Sequence, residues 1–376
     1  MRRLLCLISA LLCCVLLSGC WDYHGLGDID IVTGIAVDKE DGTYRLTFEI
    51  IDTQASGGDG GSDVLYVEAE GETLFDAIRN SKKRLINKLY GGNMQTLVIS
   101  RQIAGEEGIS GILEELLRDG EPRETMSVVI SEQETAKEIL LTKGIDSNII
   151  SYEIHEMVEE DSKVTAATID MPLYRAYNAI KGTGNALVLP AMRCVQNDEE
   201  TVVEGNGIAL FQHDRLTGFL TPKQTKWYLF VVDKIDGGVL SFPVGNPDES
   251  ISMEIKDSKT KADVRCHDGQ LTVTLSINVK LNVMELKSQL DLSQVQQREA
   301  LERLTEAYLR ESIGEFVQEV QLQHKRDIFG LGRRVYRKDP GLWRSLEPDW
   351  DELFQQAVIK VKAEATVLSS GVLKHY

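Results

Sequence analysis

The longest strictly alternating stretch of the chain is the feature that constrains its fold most. From Leu271 to Val283 every odd residue is apolar and every even residue is polar. Because the side chains of a β-strand point alternately to its two faces, this stretch predicts a long strand with one buried and one wet face. Asp268-Gly269, just upstream, predicts a hairpin turn. We therefore expect an antiparallel sheet that is solvated on one side.

A long helix and a last alternating strand follow. Ser293 and Gln296 have the spacing of a capping box, which predicts a helix from there to about Gln323. Its predicted apolar stripe consists of Leu301, Leu304, Tyr308, Phe316 and Val320. Apolar and polar residues alternate again from Ile359 to Val367. The C-terminal part is thus predicted to pack one long helix on an amphipathic sheet.

The first half of the chain predicts short strands and helices in alternation. Apolar odd positions in 29–37 indicate a strand, Asp41-Gly42 a turn, and 44–50 a partner strand with Thr47 and Glu49 on its solvent face. Further strands are predicted at 64–69, 94–100, 125–131 and 186–190, a hairpin at 205–220, and helices at 73–90, 109–118, 132–141, 148–160, 171–181 and 221–232.

These patterns predict the α+β fold class, with mixed or antiparallel sheets covered by helices. At 376 residues, two to three domains are expected. The polar run 196–200 is interpreted as the main boundary. The N-terminal α+β domain then spans 29–195, with a division near residue 143 as an alternative, and the C-terminal α+β domain spans 201–376.

The N-terminus has the pattern of a bacterial lipoprotein signal. Arg2 and Arg3 precede the 14-residue apolar run 4–17, and two small residues separate that run from Cys20. An independent transmembrane helix needs roughly 20 apolar residues, so the run is too short to be one. An uncleaved anchor and a plain secretory signal are the alternatives. All three interpretations place the rest of the chain outside the cytoplasm.

We therefore predict a signal peptide at 1–19, lipidation of the Cys20 thiol, and a lipidated tether at 20–28. Two acyl chains hold a protein on a bilayer far more firmly than a single chain does. Trp21 and Asp22, next to the anchor, are predicted to contact headgroups or a partner. The alternative is that they form a spacer.

The charge of the chain limits its ligands. The formal charge is −18, and loss of the signal peptide removes two basic residues and no acidic one, which leaves −20. No basic stripe is present to neutralise phosphates, so nucleic acid is not an expected ligand. Lys82-Lys83-Arg84 and Arg333-Arg334 are interpreted as solvated faces.

Two cysteines remain after the anchor, Cys194 and Cys266. An exported protein can form a disulfide, but the spacing does not fix the distance between these thiols. The alternatives are a bridge and two buried small apolar side chains.

The sequence contains no recognisable enzyme motif. The histidines are scattered, and His155 with Glu159 matches only half of a zinc-protease helix. No nucleophile motif, dinucleotide fingerprint or calcium loop occurs, and the paired carboxylates are interpreted as solvated faces. Neither a metal nor a cofactor is predicted.

The chain resembles the Ger(x)C spore germination lipoproteins, the C subunits of nutrient germinant receptors. The resemblance begins with Cys20-Trp21-Asp22 and the strand 28–38. It continues with the hairpin from Gly207 to Leu220, the long helix, the segment 327–332, and the Pro-x-x-Trp positions near Trp343 and Trp350. The family has Arg-Glu-Leu/Ile after Trp-Asp, where this chain has Tyr23-His24-Gly25-Leu26.

The resemblance implies a non-catalytic subunit that carries diacylglyceryl and palmitate groups on Cys20. It implies a place on the outer face of the spore inner membrane, beside integral membrane A and B subunits. The main alternative is a substrate-binding lipoprotein that delivers a nutrient to a transporter, and a surface hydrolase is a third. The one-sided strands favour the first, because substrate-binding lipoproteins consist of two doubly wound lobes.

Overall fold

The computed structural model describes residues 26–52, 64–184, 186–244, 249–287 and 290–369. Within these ranges the chain forms two sheets with helices packed on them. The predicted signal peptide and most of the predicted tether lie outside the described residues.

The first sheet has nine strands in the part of the chain that the structure describes. They are β1 (Ile29–Glu40), β2 (Thr43–Ile51), β3 (Val64–Gly71), β4 (Lys88–Tyr90), β5 (Thr96–Ser100), β6 (Ser127–Ser131), β7 (Val188–Asn197), β8 (Glu200–Gln212) and β9 (Arg215–Leu220). The spatial order is β3-β2-β1-β5-β6-β7-β8-β9, and β4 pairs with the start of β1. The sheet is mixed, because β1, β5, β6 and β7 run parallel and the outer pairs run antiparallel.

Helices cover both faces of the first sheet. They are α1 (Leu74–Asn80), α2 (Arg101–Glu106), α3 (Ser110–Asp119), α4 (Ala136–Leu140), α5 (Ile150–Val164) and α6 (Leu173–Lys181). Helices α4 and α5 bury Ile139, Leu140 and Ile154 on one face, and α1, α2, α3 and α6 pack on the other. The parallel central strands are therefore buried on both sides.

The hairpin predicted at Asp41-Gly42 is confirmed, but its predicted solvent face is wrong. Strands β1 and β2 pair antiparallel around that turn. Thr47 and Glu49, expected to face water, are 3% and 0% exposed. Helix α5 approaches this face, and the backbone N–H of Ile150 donates to Glu49 at 2.9 Å. The alternating pattern of β2 does not show that a helix covers this face, because α5 comes from a distant part of the chain.

The helix predicted at 73–90 is only partly present. Thr73 caps α1 as predicted and accepts a hydrogen bond from the backbone N–H of Asp76 at 3.1 Å. The helix ends at Asn80, and Lys88–Tyr90 forms β4, parallel to the first residues of β1. An extended β4 satisfies backbone groups at the start of β1, which a helix in that place could not do.

The first sheet runs across the boundary predicted at 196–200. Strands β7 and β8 pair antiparallel from Val188 and Leu210 to Asn197 and Glu200, so these polar residues close a hairpin. Asp198 has a φ of 55°, the left-handed conformation that Asp tolerates in turns. The polar run reflects an exposed turn, and the last strand of the first sheet ends at Leu220.

The second sheet has four strands in the described residues, in the order β10-β11-β12-β13. They are β10 (Val239–Pro243), β11 (Ser250–His267), β12 (Gln270–Lys287) and β13 (Val358–Ser369). The predicted alternation is confirmed, since Leu271, Val273 and Leu275 are buried and Thr272 and Thr274 are partly exposed. The sheet is mixed, however, because β13 pairs parallel to β12. Several helices lie between β12 and β13, so the chain can return in the same direction.

Five helices accompany the second sheet in the described residues. They are α7 (Pro222–Val232), α8 (Val295–Glu319), α9 (Leu331–Lys338), α10 (Pro340–Leu346) and α11 (Trp350–Gln355). Helix α8 is the predicted long helix, and it continues into a π-helical turn at Val320–His324. The prediction that this sheet carries one long helix is confirmed.

Two details of the α8 prediction are wrong. Ser293 does not cap the helix: its hydroxyl donates to Asp291 at 2.6 Å, and Gln294 holds the cap position without a side-chain bond. Leu304 is 45% exposed. The buried stripe consists of Leu301, Thr305, Leu309, Ile313, Phe316 and Val317.

Candidate functional site

The residues to which the sequence assigns a role, Cys20, Trp21 and Asp22, lie outside the described residues. The described chain begins at Leu26, six residues after Cys20. An extended chain spans at most about 3.6 Å per residue, so an acylated Cys20 lies within about 22 Å of the start of the fold. We therefore expect the functional site to lie near the start of β1.

A recess of about 370 Å³, which we call the N-terminal recess, lies beside this part of β1. Its apolar wall includes Val32, Phe48, Leu89, Met94 and Leu116. These side chains come from β1, β2, β4, α3 and the turn before β5. Pairing of Ile29 with Lys88 places β4, one side of the recess, directly against the first residue of β1.

Three basic side chains, those of Arg79, Lys82 and Lys88, line the recess. Residues 77–91, which we call the basic segment, contain no acidic residue and five basic ones: Arg79, Lys82, Lys83, Arg84 and Lys88. All five are exposed. Asp119 and Glu121 line the recess from the other side, and Glu121 pairs with Lys88 at 2.6 Å.

Hydrogen bonds hold the basic segment in place. The Lys82 ammonium donates to the backbone carbonyl of Ile86, and the Arg84 guanidinium donates to the carbonyl of Glu68. The Asn87 side-chain amide donates to Asp30 at 3.1 Å, which joins the segment to β1. Ile86 is 93% exposed. The segment is thus an ordered surface with an apolar side chain among its charges.

No recess is predicted from the sequence, in which Lys82-Lys83-Arg84 is interpreted as a solvated face. A signal was present, because residues 79–88 carry five basic side chains and no acidic one in a chain with 59 acidic residues. The recess itself could not be predicted, since its lining comes from distant parts of the chain.

His155, dismissed as a metal ligand, lies in a polar cluster. The Ser127 hydroxyl is 2.8 Å from His155 Nδ1 and donates to Asp170 Oδ1 at 3.2 Å. Burial raises the pKa of Asp170. In a nucleophilic triad the acid orients the histidine. Here it contacts the serine, and Ser127 is fully buried, so the cluster joins β6, α5 and the segment before α6.

The described residues contain no group of three or more His, Cys, Asp or Glu side chains that could hold a metal ion. Cys194, on β7, and Cys266, on β11, are both free thiols. Burial raises the pKa of the Cys194 thiol. None of the helices in the described ranges has the length and apolar character of a membrane span.

The C-terminal residues that carry the family resemblance meet in one cluster. Asp327 is partly buried and accepts hydrogen bonds from the Gly332 N–H at 2.8 Å and the Trp350 indole at 3.2 Å. Burial raises the pKa of Asp327 to about 6. Trp350 packs edge to face on Trp343, with ring centroids 5.2 Å apart. This cluster fixes the turn before α9.

Two family profiles match the chain. The profile described as "Spore germination protein N-terminal domain" matches residues 22–193, and "Spore germination B3/GerAC like, C-terminal" matches residues 206–371. Together they span both sheets.

Several relatives align with the chain over nearly their full length. The chain is 23% identical to "Spore germination protein KC" of Bacillus subtilis (strain 168), over 99% of this chain and 97% of that protein. It is 23% identical to "Spore germination protein B3" of the same organism, over 95% of each chain. It is also 23% identical to "Spore germination protein GerQC" of Bacillus cereus, over 97% of this chain and 98% of the relative.

A solved structure has the same fold. The crystal structure of the GerBC protein superposes with a TM-score of 0.59 at 18% identity, over 89% of this chain and 97% of that one. With both profiles matched in order and relatives aligned end to end, the chain belongs to the Ger(x)C family of spore germination proteins.

Proposed function

We propose that this protein is a lipid-anchored, non-catalytic subunit of a spore nutrient germinant receptor. It acts on the outer face of the spore inner membrane with integral membrane A and B subunits. The observation that carries this proposal is the full-length similarity to germination proteins. The lipoprotein signal that ends at Cys20 supports the membrane location.

The anchor defines the mechanism. Diffusion of a tethered domain is confined to a thin layer beside the membrane, which raises its effective concentration near membrane partners. Contacts that are weak in free solution then suffice for assembly. A protein with a mature charge of −20 needs such an attachment, because anionic headgroups repel most of its surface.

A Cys20→Ala variant tests the proposal in spores. We expect the variant to germinate poorly in response to nutrient and to leave the membrane fraction. The matched control is Cys194→Ala, which removes a thiol far from the processing signal and should germinate normally. A normal response of Cys20→Ala spores at normal receptor levels would contradict the tether, as would mass spectrometry of an unmodified residue 20.

The alternative of a substrate-binding lipoprotein predicts that the isolated ectodomain binds a nutrient tightly. The N-terminal recess is the feature such a ligand would use, but its wall is chiefly apolar, whereas amino acids and sugars need converging polar groups. Titration calorimetry with amino acids and sugars separates the two functions. Tight binding by this subunit alone would favour the alternative.

A further inference from the structure

We propose that the basic segment and Ile86 form the surface with which the anchored protein contacts anionic lipid headgroups. This contact would set the orientation of the folded body on the bilayer. The inference rests on the proposed function, because the acyl anchor is what brings the protein to the membrane.

The charge of the basic segment is opposite to the net charge of the chain. The mature chain carries −20, yet residues 77–91 carry five basic side chains and no acidic one. Glu121 pairs with Lys88, so the local positive excess comes from Arg79, Lys82, Lys83 and Arg84. Clusters of four or more basic residues near an attachment point are attracted to anionic lipids. Most of the remaining surface carries the negative excess of the chain and is repelled, which opposes most other orientations.

Exposed apolar side chains lie close to the basic residues. Ile86 is 93% exposed between Arg84 and Lys88, and Phe75, beneath the Arg79 guanidinium, is 45% exposed. A large apolar side chain held in water among basic residues suits the boundary between headgroups and acyl chains.

The start of β1, which follows the predicted tether, lies beside the basic segment. Lys88 pairs with Ile29, the first residue of β1, and adjacent strands lie about 4.8 Å apart. Cys20 lies within about 22 Å of Leu26. The anchor and the basic segment therefore reach the same patch of membrane without any rearrangement of the fold.

The expected strength follows from the charges. Each Lys or Arg near an anionic membrane surface strengthens the contact about fivefold. Lys82→Glu/Lys83→Glu should therefore weaken the association of this surface by at least about 25-fold. Lys360→Glu/Lys362→Glu, on the exposed face of β13, changes the charge equally and is the matched control.

The test uses the full mature protein, acylated at Cys20 and reconstituted in vesicles of equal parts phosphatidylcholine and phosphatidylglycerol. Cys194 and Cys266 are replaced by Ser, and Ile86→Cys carries a fluorophore that nitroxide-labelled lipids quench. Met284→Cys, a 65% exposed position on β12, carries the same label as a control. Circular dichroism and thermal unfolding verify that each variant is folded.

We expect strong quenching at position 86 and little at position 284. Quenching at 86 should fall in Lys82→Glu/Lys83→Glu, in pure phosphatidylcholine vesicles, and at about 1 M salt, where the Debye length is about 3 Å. Lys360→Glu/Lys362→Glu should leave it unchanged.

Flotation with the vesicles reports the anchor separately from the surface. Protein that floats without quenching at 86, or with equal quenching at both positions, overturns the inference and leaves the tether intact. An acidic protein partner would then be the ligand of the basic segment. Protein that does not float overturns the anchor and the inference together.

Discussion

Glu49 shows how a single residue departs from its sequence pattern. It occupies a polar position in an alternating strand, yet its carboxylate is fully buried. It accepts hydrogen bonds from Thr33 at 2.7 Å, from the backbone N–H groups of Ile150 and Ser151 at 2.9 and 3.1 Å, and from the Ser151 hydroxyl. The carboxylate thus holds the positive end of α5 against the first sheet.

The raised pKa of Asp327 predicts that the stability of the protein depends on pH. Burial raises its pKa to about 6, against 3.8 for a free side chain. The native state therefore takes up this proton at a higher pH than the unfolded state does, and stability rises as the pH falls from about 7 to about 4. The gain relative to Asp327→Asn should be on the order of 3 kcal/mol. Chemical denaturation of both proteins across this range measures it.

Trp350→Phe is the control for that experiment. It removes an indole that donates to the charged carboxylate and leaves Asp327 in place, so the pH dependence should persist or increase. Parallel stability curves for the wild type and Asp327→Asn would show that Asp327 does not titrate in this way.

Two helical glycines allow a prediction at the scale of the element. A Cβ atom on Gly332, in α9, would lie 2.7 Å from the Trp343 ring, whereas one on Gly314, in α8, would have nothing within 4 Å. Gly332→Ala should destabilise the protein by about 1–3 kcal/mol through overpacking. Gly314→Ala should stabilise it by about 0.5–1 kcal/mol, because alanine loses less backbone entropy in a helix. Urea denaturation compares them, and equal effects would argue against this packing.

Capping residues predict the start of one helix correctly and the start of another wrongly. The predicted helix start at Thr221-Pro222 is confirmed, and Thr221 forms a full capping box with Gln224. The similar spacing of Ser293 and Gln296 forms no cap, because Asp291 takes the Ser293 hydroxyl instead. Short polar motifs have several local partners, so spacing alone does not choose between them.

The whole molecule is predicted to unfold in one step. One cluster of buried apolar residues runs through both sheets, and α7 contacts β8 of the first sheet and β11 of the second. A shared core favours cooperative unfolding even where two domain profiles match. Calorimetry of the Cys20→Ala protein should show one transition with equal calorimetric and van't Hoff enthalpies. Two resolved transitions would show that the sheets are independent.

The sequence was enough to predict the amphipathic strands of the second sheet, the hairpin turns and the long helix, while the N-terminal signal stays a prediction. Those features depend on residues that are neighbours along the chain, so periodicity and spacing reveal them. Tertiary packing buries β1 and β2 on both faces and forms β4 where the end of a helix was predicted. It also continued the first sheet to Leu220 and brought Asp327, Gly332 and Trp350 together. The burial of β1 and β2 and the placement of β4 depend on contacts between distant segments, and a local pattern carries no information about which distant segment will cover it.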